Sequence, residues 1–94
     1  MIVRVMGTGQ FEISSLYLDK MNKIDNEIVE LVARNDIENF AKKLNRLREL
    51  VVKNGKLIDS KLIIGSDVII PPADLTIREA KSLFKGQGII SEKW

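Results

Sequence analysis

The sequence reads as an α+β protein on three grounds. Two long stretches, residues 14–34 and 35–54, repeat apolar side chains every three or four positions, the spacing of helices with one buried face. Two short β-branched or alternating runs precede them, separated by Gly7-Thr8-Gly9. Pro71-Pro72 then separates brief apolar groups from one more helical pattern. The expected architecture is an N-terminal β-hairpin, a long antiparallel αα-hairpin, short extended segments and a third, C-terminal helix. At 94 residues the chain is expected to be one small domain, 1–94. A chain of this length buries roughly 60–65 % of the surface it exposes when unfolded.

Ile2-Val3-Arg4-Val5-Met6 has the β-branched content of a strand, and Gln10-Phe11-Glu12-Ile13 alternates polar and apolar. Glycines between two such runs point to a hairpin turn. Ser14 or Ser15 is placed to cap the first helix, whose apolar line is Tyr17, Met21, Ile24, Ile28 and Leu31. Arg34-Asn35-Asp36 breaks it. Asn35 or Asp36 caps the second helix, with Glu38 available for a capping box behind Asn35. That helix carries Ile37, Phe40, Leu44, Leu47 and Val51, and Asn54-Gly55 ends it, with glycine able to take the left-handed stop conformation. So short a link forces the two helices antiparallel. Leu57-Ile58, Leu62-Ile63-Ile64 and Val68-Ile69-Ile70 read as extended pieces. Thr76 and Glu79 form a capping box for the third helix, whose inner face is Ile77, Ala80, Leu83 and Phe84. Gly86-Gln87-Gly88 ends it, and Ile89-Ile90 is expected to add a last extended segment.

The chain has no cysteine and no histidine, which removes disulfides, thiolate chemistry and the commonest general base and metal ligand. No run approaches the ~20 apolar residues of a membrane span. The opening, one arginine and then a hairpin pattern, does not read as a signal peptide. Net charge is +2, unevenly placed. Residues 1–36 carry four basic and six acidic side chains (−2), residues 37–56 six and two (+4), and residues 57–94 five of each (0).

Several features invite a chemical reading. Gly7-x-Gly9 after a strand resembles the start of a dinucleotide fingerprint. The third glycine position is Glu12, however, whose carboxylate would repel a pyrophosphate, and the run is strand-like where the motif needs helix. Ser60 and Ser66-Asp67 suggest a nucleophile and its orienter, but a serine–aspartate pair before an apolar run is the usual local cap. Glu27 and Glu30, beside Asp25, could approach a magnesium ion, and a solvated acidic face explains them better. No catalytic, cofactor or metal residues are therefore assigned, and no cofactor is expected.

Lys42, Lys43, Arg46, Arg48 and Lys53 put a basic face on the second helix. It is either an ordinary solvated surface or a contact for an acidic partner, a lipid surface or nucleic acid. No aromatic interleaves with these charges, so stacking on single strands is not expected. Leu18, Val29 and Val32 on the first helix and Leu50 on the second exceed what a small sheet can cover. A strip of the helix pair is therefore expected to stay open for a helical partner or a second copy of the chain.

Three stretches together carry a family resemblance: MIVRVMGTGQFEI at the start, the two helices closing on Lys53-Asn54-Gly55, and SDVIIPPADLTIREAKSLF with Gly88-Ile89-Ile90 behind it. In order and spacing the chain resembles the phage-shock-protein-A-associated domain family over nearly its whole length. The resemblance implies a non-catalytic interaction module of the membrane-stress response. Its implied partner is a coiled-coil protein of the phage shock protein A class, which binds the inner membrane face. Membrane contact would then be indirect, through the partner, from a cytoplasmic location, with no direct nucleic-acid contact. The expected partner-binding residues are Lys42, Lys43, Arg46, Leu50 and Lys53. The alternative is a small nucleic-acid-binding or ligand-binding regulator using the same basic face.

Overall fold

The computed structural model describes residues 1–62, 64–84 and 88–90. Strands β1 (Ile2–Val5) and β2 (Gly9–Glu12) form an antiparallel hairpin, with Ile2 opposite Glu12 and Val5 opposite Gly9. The loop is Met6-Gly7-Thr8, closed by the Thr8 N–H donating to the Val5 carbonyl at 2.9 Å. Gly7 sits at φ +87°, where a side chain would be strained. The opening glycines turn a corner.

Ser14 caps a short 3-10 turn (Ser15–Tyr17) that leads into α1 (Leu18–Ala33). Asn35, at φ +58°, stops α1, while Asn35 N–H donates to Val32 O and Asp36 N–H to Leu31 O. This is the paired-bond ending usual behind a left-handed residue. α2 (Ile37–Asn54) then starts from Asp36, whose carboxylate accepts from the Asn39 backbone. Of the two candidate caps Asp36 is the one used, and no Glu38 capping box forms, because Asn35 is spent on ending α1.

Gly55 departs from expectation. Its φ is −92°, not left-handed. Glycine is needed there for space: a Cβ would lie 2.7 Å from Val51 O and 3.1 Å from the Phe11 Cβ. β3 (Lys56–Leu57) pairs with β2, and β4 (Val68–Ile70) pairs parallel to β1, giving the sheet order β3-β2-β1-β4. α3 (Ile77–Leu83) begins with the Thr76–Glu79 capping box. Ile89 lies in a turn rather than an extended segment, with Ile90 just after it. Ile63, Gly86 and Gln87 fall outside the described residues.

One hydrophobic cluster joins these elements. Val3, Val5, Phe11, Ile13, Val68 and Ile70 face the helices from the sheet. Met21, Ile24, Ile28 and Val32 come from α1, and Phe40, Leu44, Leu47 and Val51 from α2. Phe84 meets Phe40 edge-on, with ring centres 5.7 Å apart, which ties the end of α3 to α2. Leu83 does not join it: the residue is 45 % exposed, so the inner face of α3 is Ala80, Ile77 and the Phe84 that follows.

Candidate functional site

The residues with possible chemistry are mostly engaged in holding the fold. The Ser66 hydroxyl accepts from the Gln10 side-chain amide at 2.7 Å, and Gln10 also donates to the Ile64 carbonyl at 2.8 Å. An amide is no base, so Ser66 has no proton acceptor at that contact. Asp67 accepts the Ile2 N–H at 2.8 Å and returns its own N–H to the Ile2 carbonyl. The serine–aspartate pair is therefore not a local cap. Its bonds tie the start of β4 to β1 and the preceding loop to β2. Asp59, not Ser60, makes the local turn, accepting from the Lys61 N–H.

The three carboxylates near Asp25 do not converge. Glu27 pairs with Lys43 across the two helices, and that hydrogen bond holds its carboxyl below the ordinary glutamate range. Asp25 is fully buried. Its two oxygens accept the backbone N–H groups of Ile89 at 3.2 Å and Ile90 at 3.0 Å. Burial pushes its pKa up, and these two bonds oppose the shift. Gly88, at φ +77°, makes the approach feasible, since a Cβ there would sit 2.5 Å from both oxygens. Sequence reasoning placed Asp25 on a solvated face and missed this role. The signal was present in the line Met21-Asp25-Ile28-Val32, which carries helical spacing through the middle of the apolar face.

The five expected partner-binding residues separate into three places. Lys43, Arg46 and Leu50 line a cleft of about 420 Å³ between α1 and α2, opposite Lys20, Lys23, Ile24 and Glu27. Lys53 lies on the far flank of α2, in a shallower depression of about 430 Å³ with Val52, Asn45 and the hairpin residue Thr8. Lys42 is well exposed and sits 3.9 Å from Glu38, one helical turn away. Arg48, from the same basic run, donates to the Pro71 carbonyl at 3.0 Å and so positions the loop after β4.

The open apolar strip is placed differently from expectation. Val32 is buried, and Leu18, Val29 and Leu50 are half-buried against the core. The exposed apolar side chains lie elsewhere, with Leu57, Leu62, Ile64 and Ile69 around the sheet and its loop, and Met6, Leu16, Ile37, Val52 and Leu83 scattered. α1 and α2 cover their own flanking residues, and the sheet is left with an apolar margin.

Fold and surface together define a helical hairpin backed by a four-stranded sheet, with a cationic cleft along the helix pair. Among the described residues no group of three or more acidic, histidine or cysteine side chains is placed to hold a metal ion, and no helix is long and apolar enough to cross a membrane. The chain belongs to the PspA-associated protein family, whose sequence profile matches residues 1–92. No curated protein and no solved structure matches the chain.

Proposed function

We propose that this protein is a non-catalytic interaction module that binds a coiled-coil partner of the phage shock protein A (PspA) class in the membrane-stress response. Membership of the PspA-associated family carries the reading. The chemistry is consistent with it: the chain lacks cysteine and histidine, and Ser66 and Asp25 are committed to hydrogen bonds within the fold. The proposed contact is centred on Lys43, Arg46 and Leu50 in the cleft, with Lys42 and Lys53, the other two expected residues, flanking it on α2. The module stays cytoplasmic and reaches the inner membrane face through its partner.

The test is retention of the purified protein on immobilised full-length PspA, followed over a salt series. Binding that persists at moderate salt with gradual weakening supports the reading. No retention at any salt refutes it. Retention on duplex DNA that collapses steeply between low and moderate salt would instead favour the nucleic-acid alternative.

A further inference from the structure

We propose that the cleft between α1 and α2, edged by Lys20, Lys23 and Arg46 over Ile24 and Leu50, is the docking site for an acidic helical segment of the partner. This rests on the partner-binding reading above and adds the α1 cations Lys20 and Lys23 to the contact, where the expected partner-binding residues all lie on α2.

Charge is the first argument. The cleft is lined by four cations and one carboxylate, a balance of +3 (4 − 1), on a chain whose net charge is +2. Glu27 is already neutralised by Lys43, in a pair that bridges the helices. Lys20, Lys23 and Arg46 make no ion pair among the described residues. They remain able to meet carboxylates from outside.

Shape is the second. Lys20, Lys23 and Glu27 follow one another along α1, and Lys43, Arg46 and Leu50 run the opposite way along α2. Seven residues of helix span roughly 10 Å, about two turns. The cations thus form two rows along the helix axes instead of converging on one point, as a compact anion would require. The groove between two antiparallel helices is where a third helix lies in a bundle. Ile24 and the half-buried Leu50 give it a narrow apolar floor. An incoming helix with carboxylates one turn apart can place one near Lys20 and the next between Lys23 and Arg46. The neutralised Glu27–Lys43 end offers nothing to an anion, so the site also sets which way the acidic end points.

The measurement is binding of full-length PspA on a sensor surface to the wild type, to Lys23→Glu/Arg46→Glu, to Lys23→Gln/Arg46→Gln and to Lys61→Glu. Lys61, exposed on the loop beyond the sheet, serves as the comparison away from the cleft, and its reversal lowers the net charge by as much as the neutral pair does. The double reversal should weaken binding at least about ten-fold, mainly through slower association, and flatten its salt dependence. The neutral pair should fall between, and Lys61→Glu should stay within about two-fold of wild type. Both replaced side chains are exposed, and matching melting temperatures exclude a folding defect. If the wild type binds and the double reversal binds equally well, the cleft assignment is wrong while the partner reading stands. If the wild type does not bind, both fall.

Discussion

Asp25 holds two backbone N–H groups with two oxygens, and an asparagine has only one oxygen to offer. Asp25→Asn should therefore leave one buried N–H facing another donor, as the protonated acid does with its hydroxyl, so the two should be about equally stable in urea unfolding at low pH. The pH dependence has a definite sign. The folded-state pKa lies above the ordinary aspartate value of 3.8 because burial disfavours the anion. A group raised in this way favours the folded state most below the unfolded value, and the contribution is lost as pH rises through the folded pKa. The stability of wild type minus Asp25→Asn should accordingly decline as pH climbs from about 4, and a difference that grows with pH would contradict this account. Gly88→Ala tests the same contact from the other side, since its methyl has no room beside the carboxylate. Little of this was legible beforehand. An acidic residue among polar neighbours reads as solvated unless its helical position is weighed first, and its partners lie more than sixty positions away.

The helices were legible to within about three residues, because helical periodicity and caps are local. Thr76 and Glu79 form the reciprocal cap that their spacing implied, and Thr76→Ala should cost about 1 kcal/mol in thermal or urea unfolding. Val68-Ile69-Ile70 was legible as an extended piece and forms β4, but its pairing with β1, and that of β3 with β2, was not, because a two- or three-residue strand has no period and its partner lies far along the chain. Gln10 shows the difficulty. It sits on the face of the sheet away from the core, yet is nearly buried because residues 64–66 fold over it. Gln10→Ala should release that loop, and faster tryptic cleavage after Lys61, with the helices still protected, is the expected result. The β1–β2 turn leads to a simpler expectation. Dinucleotides and nucleoside triphosphates should leave the melting temperature unchanged, and a saturable rise would overturn the reading of Gly7-Thr8-Gly9 as a turn alone.

The whole molecule has two unlike sides, a cationic helix pair and an apolar sheet margin. Composition shows how much charge and apolar surface exist but not which element covers which. That is why Leu18, Val29, Val32 and Leu50 were expected to lie open, whereas Val32 is buried, the other three are half-buried, and more fully exposed apolar side chains lie along the sheet margin. The two sides can be told apart by paired substitutions. Leu57 is 62 % exposed on the edge strand, so Leu57→Gln should change stability by less than about 0.5 kcal/mol. It should also leave PspA binding intact. Leu50→Gln, at the cleft floor, should speed dissociation from PspA. Equal effects on binding would place the contact outside the cleft.

The pairing of β4 with β1 has a consequence for how the protein is made. The hairpin of β1 and β2 is synthesised well before β4, so the edge of β1 has no neighbour until Asp67 and the strand behind it have been made. Until then a nascent chain carries an open strand edge, the kind of surface that recruits other chains. Both helices can form and pair in that interval, since their contacts are close in sequence. Closing the sheet across more than sixty residues is the slow, non-local step. β1 is thus completed by a strand made more than sixty residues later, and the growing chain is most exposed to misassociation just before that strand arrives.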